Sequence, residues 1–226
     1  MLQKADTLSS NGSASKRKRD EERYYEPIRK HLAAVFANRY VDEKKIPPQY
    51  DFWENMPKYL VLEVVGRKNR FSSILKEAFD DNTLNIIKDE GIFPDLVGYV
   101  QKEPSEPTSQ KEIIIVEVKD EPITLKMVGK TRLYAEIFNA TFAFLLSTVG
   151  ITPEKVRFLL KKPAIRGNVI VARFRLTVPG QNVGHMEINP KFRETVPEAF
   201  RWYCIPREYQ PQRHEKRKLL RRFLKR

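Results

Sequence analysis

Between Glu112 and Lys119 the chain reads EIIIVEVK, and this run constrains the fold more than any other stretch. The β-branched residues Ile113 to Val116 mark a buried strand, in which a charge such as Glu117 needs a physical reason. Upstream, Asp95 to Val100 (DLVGYV) reads as a second strand, and the polar QKEPSEPTSQK between the two, with prolines at 104 and 107, suits a hairpin loop. Antiparallel pairing symmetric about Glu106 sets Val100 opposite Glu112, Val97 opposite Ile115 and Asp95 opposite Glu117. Because strand side chains alternate between faces, Glu117 and Lys119 then share one face, while Val116 and Val118 turn into the core.

The flanking segments complete an α/β pattern. Pro27 suits a first helical turn, and Ile28, Leu32, Val35 and Phe36 follow at helical spacing. Tyr59 to Val65 is a strand ending at Gly66. Arg70 to Phe79 carries one apolar face of a short crossing helix, Leu125 to Asn139 is helical, and Thr141 to Ser147 is a further strand. With the crossing helix set aside, the order is helix, three strands, helix, strand. Beyond Gly150 a helix over Pro153 to Leu160 and a strand over Val169 to Leu176 are expected. The chain divides into a basic arm at 1–20, a core at 21–150 and a small α+β extension at 151–226 that ends in a basic helix. The arm is too polar to offset its ordering entropy and is expected to be disordered. The aromatics of Arg201-Trp202-Tyr203 are expected in the core of the extension rather than as base-stacking platforms.

Charge narrows the partners. The net charge is +13, but Arg213 to Arg226 carries +7 and Met1 to Asp20 carries +3, leaving +3 for the 192 residues between. Basic ends on a near-balanced body point to nucleic acid first, an acidic membrane surface second and mere solubility third. In the C-terminal HEKRKLLRRFLKR, Leu219, Leu220, Phe223 and Leu224 form a narrow apolar stripe. It suits docking on the body with charges displayed to nucleic acid, an anionic membrane, or a partner chain; the first is favoured and a membrane is not. One cysteine, Cys204, excludes a disulfide framework, and three scattered histidines exclude the usual structural zinc spacings. No secretory signal and no membrane-length apolar run is evident, so an intracellular, cytoplasmic protein is expected. Lys16 to Arg19 reads as a solvated tail or a nuclear address.

Two acids side by side repel unless something positive lies between them. A divalent cation answers this, and oxygen ligands without nearby His or Cys favour Mg2+ or Mn2+. Such a site is able to act on phosphodiesters, with Lys119 positioning water, stabilising charge on the phosphate, or serving as a base if its pKa falls toward neutrality. The competing reading is an ion-pair ladder in which Lys119 neutralises Glu117. A bare Glu-x-Lys is weak by itself: Glu43 and Lys45 form another, read as a solvated charge run.

Phe93-Pro94-Asp95-Leu96-Val97-Gly98, then Ile115-Val116-Glu117-Val118-Lys119 with 21 residues between Asp95 and Glu117, resembles the PD-(D/E)XK motif of the restriction-endonuclease-like superfamily, which includes Holliday-junction resolvases. The resemblance spans roughly Glu22 to Ser147 and implies an αβββαβ core with a mixed central sheet. The crossing helix between the first two strands departs from the minimal core. It further implies a metal-dependent endonuclease acting on DNA, with Asp95 and Glu117 as metal ligands, the Val118 carbonyl completing the shell, and Lys119 assisting the water. A glutamate on the first helix often joins such sites; Glu22 and Glu26 are the candidates, with Glu63 as another outer carboxylate. Lys126, Lys130 and Arg132 on the following helix are candidate phosphate contacts. Many nucleases of this fold act as dimers, so a homodimer is one expectation. The alternative function is a catalytically silent protein that keeps the fold for nucleic-acid binding or assembly.

Overall fold

The computed structural model describes residues 21–40, 60–66, 69–101, 111–176 and 184–204. The N-terminal arm, the Glu43/Lys45 pair and the basic C-terminal segment lie outside these residues. Six strands form one sheet in sequential order: β1 (Leu60–Val64), β2 (Leu96–Gln101), β3 (Lys111–Lys119), β4 (Phe142–Ser147), β5 (Val169–Leu176) and β6 (Gly184–Ile188). Strands β3, β4 and β5 run parallel to one another, while the β1–β2, β2–β3 and β5–β6 pairs are antiparallel. The protein is therefore an α/β protein with a mixed sheet.

The hairpin register follows the symmetry expected of its loop. Val100 pairs with Glu112 and Val97 with Ile115, and the ladder runs from Gln101–Lys111 to Leu96–Val116. Asp95 stands one residue beyond that ladder. Its carbonyl accepts from the Val65 and Gly66 amides at 2.9 and 3.2 Å, which ties it to the end of β1. Gly98, in the middle of β2, permits close packing against β1: a Cβ there would fall 2.0 Å from the Val61 carbonyl oxygen, closer than any side chain tolerates.

Helix α1 (Tyr25–Tyr40) crosses one face of the sheet, contacting β1, β2 and β6. Its Phe36 packs on Phe142 and Phe144 of β4. The alternate residues Ala143 and Leu145 must point the other way, and they too are fully buried. Helix α4 (Leu125–Ile137), which contacts β3, β4 and β5, covers that second face. Burial on both faces is why the parallel strands read as unbroken apolar runs, IIIV, FAFLL and VIVA.

The remaining expected elements are present in part, with additions. The crossing helix expected over 70–79 is the shorter α2 (Ser73–Lys76), capped by Ser72, and an unexpected second helix follows it, α3 (Asp81–Asp89), whose first turn is capped by Asp80 accepting from the Thr83 amide. The helix expected from Pro153 is α5 (Pro153–Lys161), with its proline in the first turn, and a short α6 (Pro163–Arg166) follows. The strand expected over 169–176 is present, and with β6 it continues the same sheet as β1 to β4. A short helix α7 (Glu198–Arg201) and 3-10 turns at Pro190–Thr195 and Trp202–Cys204 complete the described chain. Tyr203 packs against His31 of α1 and Phe200, in keeping with a core role. Among the described residues no helix is long and apolar enough to cross a membrane.

Cys204 is buried at 3% exposure, and that burial pushes its thiol up to about 11. As the lone cysteine it gives a clean probe. Thiol labelling at pH 8 is expected to be at least about 100-fold slower in the native protein than in denaturant, since the thiolate is the reactive form. Equal rates would mean that this end of the fold is open in solution.

Candidate active site

The three acids and the lysine reach one point by separate routes. Asp95 is delivered by the turn entering β2, Glu117 and Lys119 by one face of the end of β3, and Glu21 by a helical turn at 21–22 just before α1. All four line a cleft of about 510 Å³, together with Tyr25, Gly66, Phe93, Met127, Lys130 and Tyr134 among others.

Asp95 is held on both oxygens. The Tyr25 hydroxyl donates to Oδ1 at 2.6 Å, and the Val118 amide donates to Oδ2 at 2.7 Å. Burial, followed by the charge on Asp95, pushes the Tyr25 phenol far above its ordinary range, so it stays a donor. Glu117 is 3% exposed, and its oxygens face Lys119 Nζ at 3.5 Å and Lys130 Nζ at 3.7 Å. Burial and the neighbouring Asp95 raise its pKa to about 7, against the pull of those two ammonium groups. Burial lowers the pKa of Lys119, but Asp95, Glu117 and Glu21 outweigh it and the net shift is upward. The shift runs opposite to the one a general base would require, which leaves Lys119 the roles of positioning water and stabilising charge.

Lys119 Nζ donates to the Val118 carbonyl at 2.7 Å and lies 3.4 Å from Glu21, 3.5 Å from Glu117 and 3.9 Å from Asp95. Four oxygens from three parts of the chain thus surround one positive charge. Among the described residues no three His, Cys, Asp or Glu side chains form a ready-made metal cage. The donors around the ammonium are nevertheless all hard oxygens, they already attract a cation, and they fit Mg2+ or Mn2+ by chemistry.

Of the other sequence candidates, only Lys130 enters the cleft. Its Nζ lies 4.9 Å over the ring of Tyr134 as well as near Glu117. Arg132 turns away to Glu136 and to the Ala164 carbonyl, and Lys126 is exposed and outside the cleft lining. Glu26 is taken up by Arg29, Glu63 by Ser72, and Glu22 is not among the residues lining the cleft. The carboxylate that reaches the site from this part of the chain is Glu21, in the helical turn before α1 and one residue before Glu22, with burial raising its pKa and Lys119 opposing the rise. Tyr25 was also missed. The two sit on either side of the turn at Arg23–Tyr24 that joins the helical turn to α1, and no periodicity in the sequence marks them.

The fold and site together define an α/β protein with an acid-lined cleft at one end of a six-stranded mixed sheet. No family model, no curated protein and no solved structure matches the chain.

Proposed function

We propose that this chain is a metal-dependent endonuclease of the PD-(D/E)XK type, with the restriction-endonuclease-like core, hydrolysing DNA phosphodiester bonds. The observation that carries the reading is the convergence of Asp95, Glu117 and Lys119 in one cleft, with Glu21 beside them. Asp95, Glu117 and the Val118 carbonyl, with Glu21, are the groups that would hold Mg2+ or Mn2+. When bound, such a cation supplies Lewis-acid chemistry at a phosphoryl oxygen. Asp95, gripped on both oxygens, presents a carboxylate of fixed orientation. Lys119 offers N–H donors that orient the attacking water and a charge that offsets the negative charge growing on the phosphate. Lys130, half-exposed, offers a second cation to a phosphate neighbouring the scissile one.

The decisive experiment incubates labelled duplex, branched and single-stranded DNA with the protein and Mg2+ or Mn2+, beside Asp95→Ala. Metal-dependent cutting by the wild type alone supports the reading and names the substrate. The enclosure of Lys119 by three acids favours a second reading, in which the cluster is structural and the protein binds nucleic acid without cutting it. Salt-sensitive binding with no cleavage across the panel selects that alternative. Under the nuclease reading, Lys130→Ala is expected to raise KM for DNA several-fold with kcat little changed. It should also flatten the slope of log affinity against log salt by about 0.9, the value for one lost phosphate contact. Unchanged KM and slope would remove Lys130 from the substrate track.

A further inference from the structure

We infer that Tyr25 is a positioning residue whose hydroxyl fixes the Asp95 carboxylate in the orientation that receives the metal. The inference rests on the metal-nuclease reading and assigns that site a further part.

Asp95 lies just outside the β2–β3 ladder, so sheet pairing does not hold its side chain. Two donors do so instead, from different elements and on different oxygens: the Val118 amide of β3 on Oδ2 at 2.7 Å, and the Tyr25 hydroxyl of α1 on Oδ1 at 2.6 Å. A carboxylate pinned at one oxygen still swings about that bond. Pinned at both, it cannot rotate without breaking the pair. The end of β1 closes another side: a Cβ on Gly66 would lie 3.0 Å from Asp95 Oδ1 and 3.1 Å from its Cα, so the backbone there sits against the acid.

The phenol suits this task. Its ring is 2% exposed and belongs to the core, so the hydroxyl is carried on a rigid arm anchored in α1. Packing needs only the ring, whereas a buried hydroxyl is costly unless bonded, and Asp95 supplies an acceptor. The bond also joins α1, which follows directly on the turn bearing Glu21, to the strand ends bearing Asp95 and Glu117. Tyr25 therefore acts through Asp95, as hydrogen-bond partners behind metal-binding side chains do.

The test is Mn2+ binding by the full chain, read from the electron paramagnetic resonance signal of free Mn2+. The proteins compared are the wild type, Asp95→Ala, Tyr25→Phe, and variants with 4-aminophenylalanine or 4-methylphenylalanine at position 25. Removing the hydroxyl is expected to weaken Mn2+ binding about 10- to 100-fold, with circular dichroism unchanged. The 4-amino group, which restores a donor, should recover most of the loss, and the near-isosteric 4-methyl group should not. The amino–methyl comparison carries the test if Tyr25→Phe fails to fold. Wild-type affinity in Tyr25→Phe, or equal affinity of the amino and methyl variants, overturns the inference while leaving the metal site standing. A wild type that binds no Mn2+ overturns the metal reading and this inference with it.

Discussion

Replacing Lys119 with Ala is expected to lower the DNA cleavage rate by about 100- to 1,000-fold, the usual effect of removing one group that stabilises transition-state charge. The loss should fall in kcat, because the ammonium acts on the water and the developing charge rather than on distant phosphates. The same change bears on the fold. Lys119 is 18% exposed and lies within 4 Å of Glu21, Glu117 and Asp95. Without it three acids face one another across the cleft, and breaking such a pair by removing one partner is destabilising. In chelator the thermal midpoint should drop by several degrees, at about 2–4 °C per kcal/mol for a domain of this size. Adding Mn2+ should recover much of that drop, since the oxygens left behind suit a cation. Activity and stability thus separate: metal restores the fold of Lys119→Ala but not its rate. Cleavage at the wild-type rate by this variant sinks the assignment of Lys119.

The hairpin was legible because two periodicities agreed. The pleat sets which side chains share a face, and the polar loop centred on Glu106 sets the register, so that the observed pairs Val100–Glu112 and Val97–Ile115 follow from counting. That placed Asp95, Glu117 and Lys119 together. Glu21 escaped because Pro27 was taken to mark the helix start, whereas a further helical turn precedes α1 and turns Glu21 inward. Helix α3 was passed over although Asp80 capped it and Leu84 and Ile87 gave it an inner side; it is nine residues long and only Ile87 is fully buried. Strand β6, GHMEI, holds a single β-branched residue, and what makes it a strand is pairing with β5. Tertiary contact, not local preference, decides such segments.

Glu117→Gln is expected to make the metal-free protein more stable above neutral pH, by up to a few kcal/mol on the order-of-magnitude scale of such linkage. Glu117 is 3% exposed, and burial together with Asp95 raises its pKa from an ordinary 4.5 to about 7. The folded protein therefore holds that proton more tightly than the unfolded chain does. This favours folding fully below about 4.5, and the advantage is lost as pH rises through about 7, beyond which an ionised carboxylate sits in a site that disfavours it. Glutamine has no such proton. The stability gap between variant and wild type should be smallest near pH 5 and widen toward pH 8, measured by urea unfolding in chelator. The sign separates the two functional readings. A carboxylate kept as a structural partner of Lys119 and Lys130 would be a net stabiliser, and the wild type would then be the more stable protein at pH 8. A carboxylate kept to receive a cation is a liability until the cation arrives, so Mg2+ or Mn2+ should stabilise the wild type more than Glu117→Gln and narrow or reverse the gap. A wild type more stable than the variant at pH 8 in chelator would favour the structural cluster over the nuclease.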